Sequence, residues 1–328
     1  MAFCKFPVPT ENKIIQMKMG IIDMGTNTFH LIIVEVDDDN FKFLYREKRS
    51  VRLGKDGISK GFITDAAIAR AVDTLKDFKK VLEEYAIADV QATATSAVRN
   101  AKNGQELVDK ITDATGIKTT IISGEAEAQF IYFGVTQALT IGEKPSLIMD
   151  IGGGSIEFII GTSEETLWKE SFEIGGQRLQ DQFHHHDPIA STEITAIENF
   201  LEDKLQRLFE MCQKYNPKTL IGSSGTFDTL SDIYSHASGI NREEGATEYP
   251  LDIEGFQKIH NQLISKVRVE RLAIPGMIEM RVEMIVVASV LLHFLINRLQ
   301  LQALRVSAFA LKEGVLLHHV RSKKEMIS

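Results

Sequence analysis

Two short stretches of this chain set an aspartate beside glycine and hydroxyl residues in a pattern suited to holding phosphate. Residues 21–33 read IIDMGTNTFHLII and residues 148–160 read IMDIGGGSIEFII. Laid over one another, Asp23 meets Asp150, Gly25 meets Gly152 and Thr28 meets Ser155, and the apolar runs on both sides superpose. Glycine permits a tight turn and a close approach of backbone to ligand, and successive N–H groups in such a turn can cradle phosphate oxygens. The expected phosphate contacts are therefore Gly25, Thr26 and Asn27 in the first copy and Gly152, Gly153, Gly154 and Ser155 in the second. The aspartates do a different job, because a carboxylate beside a phosphate is repelled unless a cation lies between them. Asp23 and Asp150 thus imply Mg²⁺, a hard ion that takes oxygen ligands and keeps waters, and Glu157 can join that shell. Mn²⁺ accepts the same oxygen ligands.

A third glycine-rich turn, GSSGT at residues 222–226, follows Leu220 and Ile221. It adds Gly222, Ser224 and Gly225 as phosphate or nucleoside contacts, although such turns also simply start helices. The chain has no G-x-x-x-x-G-K-[ST] loop, which excludes a P-loop protein.

Residues that meet one ligand must be aimed by rigid elements. Each copy of the repeat reads as strand, glycine turn, strand. Two copies imply two domains on a common plan, each pointing one turn at a shared cleft. Between them, apolar residues at Ile68, Ala71, Val72, Leu75, Phe78, Leu82 and Tyr85 predict a helix over 64–85 with Thr64 as its N-cap. A strand is expected over 89–95, a helix over 105–114 closed by Gly116, a strand over 119–122 and a helix over 125–135. Beyond Ser191 the pattern is mainly helical, apart from a short strand before Gly222. The apolar run 284–295, interrupted by Ser289 and His293, suits a buried helix or a homodimer contact. The alternation of strands and helices is that of the α/β class.

The length of 328 residues fits two domains. A hydrophobic content of 44% and a charged content of 25% are those of an ordinary globular protein. No apolar run reaches membrane-spanning length, and the first 13 residues lack the apolar core of a signal peptide. Cys4 and Cys212 are too few for a disulfide framework or a cysteine metal site. These features lead to an expectation of a cytoplasmic protein with no membrane partner. The net charge of −8 argues against general nucleic-acid binding. It also means that a polyanionic ligand requires a local basic groove or a bound metal. Residues 42–55, KFLYREKRSVRLGK, hold six Lys or Arg; they read either as a solvated strand face or as a track for a polyanion. HHHDP at 184–188 is expected to be a polar loop, since consecutive side chains diverge and cannot share one ion. His30 is expected to be structural.

The segments DMGTNTFHLII, TSAVRNA, ISGEAEA, DIGGGSIE, GSSGT and ALKEGVL occur in this order between about residue 21 and about residue 317. Together they resemble the exopolyphosphatase and guanosine pentaphosphate phosphohydrolase family. The resemblance implies two actin-like domains of the ribonuclease H, sugar kinase and heat-shock ATPase superfold. Domain I would be 1–135 with 307–328 and domain II 136–306, with the C-terminal helix packed back on domain I. It implies that Glu127 is the catalytic base, orienting and deprotonating a water aimed at the terminal phosphorus, and that Arg99 is the arginine near the phosphate site. Arg281 and Glu283 resemble a family segment near the nucleotide or polymer path. The implied substrates are inorganic polyphosphate and guanosine pentaphosphate, in a short form without extra C-terminal domains. The chain departs from the family pattern at Gln129, where arginine is common after E-A, and at Ala308-Phe309, where D-G is common. Two other readings stay open at this level: a phosphotransferase of the same superfold, and a non-catalytic guanosine tetra- or pentaphosphate sensor.

Overall fold

The computed structural model describes residues 16–37, 40–243 and 245–327; Cys4 and the N-terminal stretch read above lie outside them. Two mixed sheets form the frame. The first contains β1 (Gln16–Met24), β2 (Thr28–Asp37), β3 (Asn40–Ser50), β4 (Val90–Ala94) and β5 (Thr119–Ile121), in the order β3-β2-β1-β4-β5. The second contains β6 (Ser146–Ile151), β7 (Ile156–Gly161), β8 (Thr166–Phe172), β9 (Thr219–Ser223), β10 (Glu248–Tyr249) and β11 (Ala303–Ser307), in the order β10-β11-β9-β6-β7-β8.

The sheets repeat one topology. In each, an antiparallel meander (β1-β2-β3, β6-β7-β8) is extended by parallel strands (β4 and β5, β9 and β11) on the side of its first strand. This is the strand plan of the actin-like superfold, built twice in one α/β chain, and the sequence repeat marks its first hairpin in both halves. β6 and β7 are buried along their whole length, which accounts for their nearly continuous apolar character.

Local sequence signals set the helix ends. Thr64 accepts a hydrogen bond from the Ala67 N–H at the start of the helix Asp65–Glu84, and Ser123 does the same for Ala126 at the helix Gly124–Ala138. Gly116 closes the helix Gly104–Thr115 at φ 73°, a left-handed conformation that glycine takes without strain. The helix Met284–Leu299 is apolar on all sides and buried from Met284 to Leu292, so the apolar run serves the core of the second half.

Three cores divide the molecule. One lies between the first sheet and the helices Asp65–Glu84 and Gly104–Thr115. Another fills the second half beneath the helices that follow β8. The third lies between the sheets, where Ile21, Ile32 and Val34 of the first sheet share a cluster with Ile148, Ile159 and Ile221 of the second. Two helices occupy this middle layer, Gly124–Ala138 and Leu311–Ile327, packed on each other. They approach closely because Gly314 lies against the Phe130 carbonyl and Gly134 against the Ala310 carbonyl, where any Cβ would collide. His319 and Lys323 of the last helix both engage Asp89, just before β4.

The C-terminal half carries more strand than the sequence pattern predicts: β10 and β11 were not anticipated. β11 alternates Leu304 and Val306 over only five residues, too short to separate from the end of the preceding helix. Its partner β9, which defines it as a strand, is about 80 residues away in sequence.

Candidate active site

The two glycine turns face each other across the cleft between the sheets, and hydrogen bonds on their outer sides orient them. In the first turn the Thr26 carbonyl accepts from the Gly54 N–H (2.9 Å), and the Asn27 carbonyl accepts from Val51 and Arg52 (3.0 and 2.9 Å). In the second, the carbonyls of Gly152, Gly153 and Gly154 accept from Gly176, Gln177 and Gly175 at 2.8, 2.9 and 3.1 Å. A trans peptide points its N–H opposite to its C=O. With these carbonyls held outward, the N–H groups of Asn27, Gly153, Gly154 and Ser155 turn into the cleft that their residues line. Such a paired nest is an anion cradle. The turns nearly touch: a Cβ on Gly154 would fall 2.5 Å from the Ser96 hydroxyl and 2.6 Å from that of Thr26. The Asn27 amide donates to Gln177 Oε1 (3.2 Å), fastening the first turn to the second half.

Cross-strand registers bring the acids in. Asp23 sits in a row with Thr93 on β4, His30 on β2 and Lys48 on β3. The matching row in the other sheet is Ser223, Asp150, Glu157 and Ser171. The Ser223 hydroxyl donates to Asp150 Oδ2 (2.9 Å) and the Ser171 hydroxyl to Glu157 Oε1 (2.7 Å). Glu127 enters from the first turn of the helix Gly124–Ala138. Its Oε2 accepts from Arg99 Nη1 at 2.8 Å.

Burial dominates the electrostatics. It pushes the Asp23 carboxyl up to about 7, with Lys312 opposing, and Asp150 up to about 6, against the hydroxyls of Ser224 and Ser223. It pushes Glu157 up to about 8, with Asp150 adding repulsion, and raises Glu127 well above the usual range, with Glu157 adding to the rise and Arg99 opposing it. Oδ1 of Asp23 is buried with no hydrogen-bond partner. Acids crowded together in this way, one with an orphaned oxygen, form a donor set that suits a hard divalent cation. No group of three His, Cys, Asp or Glu among the described residues is arranged around a single metal position. The Asp23, Asp150 and Glu157 trio expected from sequence is therefore not a closed cage.

Most residues singled out in the sequence line the cleft: Asp23, Gly25, Thr26, Asn27, Glu127, Asp150, Gly152, Gly153, Gly154, Ser155, Glu157, Ser224 and Gly225. Ser224 opens its helix at φ 68°, an uncommon backbone state for a residue with a side chain, at a position beside Asp150. Two expectations change. Gly222 does not line the cleft but lies against the Phe227 ring, where a Cβ would collide; its role is packing. Arg99 also stands behind the cleft, where it donates to Glu127, to Glu173 Oε1 (3.0 Å) and to the Ile122 carbonyl (3.1 Å). It holds the glutamate that lines the cleft.

Lys312, within ALKEGVL, is a cleft residue that the sequence pattern does not single out. It reaches the cleft from the start of the last helix, 3.2 Å from Glu313. The available signal was the charged pair Lys312 and Glu313 set between Leu311 and the apolar Val315, Leu316 and Leu317. Asp228 also lines the cleft, as does Arg281, which is 8% exposed. His30 lines it too, with burial holding its imidazole well below the ordinary value. Glu283 pairs with Arg268 and Arg271. HHHDP forms a polar loop: His186 meets Glu193 and Asp187 meets Arg271. Among the described residues no helix is long and apolar enough to cross a membrane.

Comparison with known proteins gives a consistent set of likenesses. The model of the Ppx/GppA phosphatase family matches residues 32–323, starting just past the first turn. Exopolyphosphatase 1 of Mycobacterium tuberculosis is 24% identical over 311 residues, which is 94% of this chain and 90% of that protein. The crystal structure of an exopolyphosphatase from Cytophaga hutchinsonii is 46% identical with a TM-score of 0.91, covering 93% of this chain and 98% of that one. A Ppx/GppA family member from Aquifex aeolicus shares the fold at 24% identity and a TM-score of 0.77, covering 94% and 98%.

Proposed function

The chain belongs to the Ppx/GppA phosphatase family, and on that premise we propose that Glu127 is the base with which it hydrolyses the terminal phosphoric anhydride of inorganic polyphosphate. The observation that carries this reading is the position of Glu127. Its carboxylate lies in the same cleft as the inward-turned N–H groups of both glycine turns and is held from behind by Arg99.

The turns bind the oxygens of the terminal phosphoryl group through Asn27, Gly153, Gly154 and Ser155. Glu127 accepts a proton from a water molecule. The water oxygen bonds to phosphorus as the anhydride P–O bond breaks, and orthophosphate and the shortened chain leave. A carboxylate raised by burial is a stronger proton acceptor, and the Arg99 guanidinium works against burial in favour of its ionised form. Asp23 and Asp150 are the residues to hold Mg²⁺ or Mn²⁺, which would supply neutralisation of charge on the phosphate oxygens. Guanosine pentaphosphate presents a similar terminal phosphoryl and is the second substrate to test.

The experiment measures orthophosphate release from long-chain polyphosphate with Mg²⁺, comparing wild type with Glu127→Gln. Release by wild type alone, with no acceptor added, supports hydrolysis over phosphoryl transfer and supports Glu127 as the base. Equal release by both proteins would remove Glu127 from the role. Tight guanosine tetra- or pentaphosphate binding without turnover would favour a sensor.

A further inference from the structure

The supports behind the two phosphate turns meet at one side chain. Arg178 lies in the helix Gly176–Phe183, which follows β8. Its Nε donates to the Gly154 carbonyl at 2.9 Å, its Nη1 to the Ile58 carbonyl at 3.2 Å and its Nη2 to Glu173 Oε2 at 3.4 Å. Each acceptor leads to a different part of the site. The Gly154 carbonyl is one of those held outward, and the N–H of the same peptide is that of Ser155, which turns into the cleft. Ile58 belongs to the first half of the chain. Its N–H donates to the Gly54 carbonyl at 3.0 Å, and the Gly54 N–H donates to the Thr26 carbonyl at 2.9 Å, the bond that orients the first turn. Glu173 pairs with Arg99, which holds Glu127.

A guanidinium suits this position. It presents five donors in a rigid planar fork, so one side chain can serve acceptors that lie in different directions. Its charge strengthens each of those bonds. The backbone nearby leaves little slack: a Cβ on Gly175 would lie 2.5 Å from the carbonyl carbons of Gly153 and Gly154. The helix start is therefore pressed against the second turn, and Arg178 reaches back over it to the first half. Another link spans the same halves, from the Ser59 hydroxyl to Asp181 Oδ2 at 3.3 Å. That link is exposed, and neither of its residues belongs to a phosphate turn.

We propose that Arg178 is a positioning residue for the hydrolysis, fixing the Ser155 N–H, the first turn and the base Glu127 relative to one another. The assignment rests on the hydrolytic reading above and adds no contact to the substrate. It makes the anion cradle and the base a single unit that is complete only when both halves of the chain are in place, since the three bonds of one guanidinium join them.

The test is orthophosphate release from long-chain polyphosphate with Mg²⁺ by wild type, Arg178→Ala, Arg178→Lys and Ser59→Ala, with folding checked by circular dichroism and a thermal melt. Arg178→Ala should lose roughly tenfold to a hundredfold in kcat, the scale of a misplaced reacting group, while KM changes by less than about threefold. Arg178→Lys should recover only part of that loss, because an ammonium cannot serve three divergent acceptors at once. Guanidinium ion, added below denaturing concentration, should restore part of the rate to Arg178→Ala and none to Arg178→Lys. Ser59→Ala should keep the wild-type kcat. Wild type that releases no orthophosphate overturns the hydrolytic reading and this assignment together. With an active wild type, a folded Arg178→Ala of undiminished kcat overturns the assignment alone. So does a loss confined to a KM rise that shrinks in high salt, which would make Arg178 a direct contact of the polyanion. An equal loss in Ser59→Ala overturns it as well, by reducing Arg178 to one of several clamps between the halves. Should Arg178→Ala fail to fold, wild-type kcat in Arg178→Lys is the overturning result.

Discussion

Arg99 lies between two glutamates, its Nη1 2.8 Å from Glu127 and its Nη2 3.0 Å from Glu173. Glu173 in turn accepts from Ser96 at 2.6 Å and from Arg178 at 3.4 Å. Arg99 and Ser96 come from the helix after β4, whereas Glu173 and Arg178 follow β8. The group that orients the proposed base is thus itself clamped from both halves of the molecule.

Glu127→Gln should lower kcat by roughly two to four orders of magnitude, the usual contribution of a general base. The fold should survive, because the amide is isosteric and Arg99 keeps Glu173. Circular dichroism and a thermal melt check the fold, and orthophosphate release checks the rate. Near-wild-type turnover in a folded variant would end the assignment.

The crowded acids predict how stability responds to pH. Asp23 is raised from 3.8 to about 7 and Glu157 from 4.5 to about 8. Between the unfolded and folded values the native state binds more protons than the unfolded state, so these groups make stability fall as pH rises from about 4 to about 8. His260, lowered by burial to about 4, contributes in the opposite sense at the acid end. The difference between wild type and Asp23→Asn isolates the carboxyl effect. Without divalent metal the variant should lose less melting temperature than wild type between about pH 5 and about pH 8, and Mg²⁺ should stabilise wild type most at the upper end. Parallel melting curves for the two proteins would contradict the buried, proton-binding Asp23.

Gly154→Ala tests the contact between the turns. Its Cβ would press on the hydroxyls of Ser96 and Thr26 at 2.5 and 2.6 Å, so the two turns would have to separate. Overpacking of this kind costs about 1–3 kcal/mol. The loss in kcat/KM should be larger, at least about a hundredfold, because displacing the cradle misplaces the reacting group. A variant that is destabilised but fully active would show that the turns need not meet for catalysis.

Gly314→Ala probes the middle layer away from the chemistry. A methyl group there meets the Phe130 carbonyl and would push the helix Leu311–Ile327 off the helix Gly124–Ala138. Denaturant unfolding should show a loss of about 1–3 kcal/mol. If the helix also carries Lys312 to the cleft as described, KM should rise together with the stability loss. An unchanged protein by both measures would refute the close packing.

Local signals in the chain were sufficient for a large part of this protein. The paired D-x-G turns, the cap at Thr64 and the Gly116 stop depend on interactions within a few residues, and such short-range chemistry is written directly in residue order. The repeat also carried the two-sheet plan, because equal hairpins with equal apolar faces bury themselves in equal ways.

Other features depended on which distant residues met. Gly222 and Gly225 looked alike as turn glycines, yet one lies under the Phe227 ring and the other against the Arg281 guanidinium. The resemblance implies that Arg99 is the arginine near the phosphate site, but only the fold shows that Glu127 and Glu173 both pair with it. Lys312 acquired a role only when the last helix returned to the first half of the chain. The amino-acid sequence by itself determined the turns, the acids and the repeated frame. Only the tertiary structure decided which charges are paired and which are left facing the cleft, since burial and pairing are properties of contacts between residues far apart in the chain.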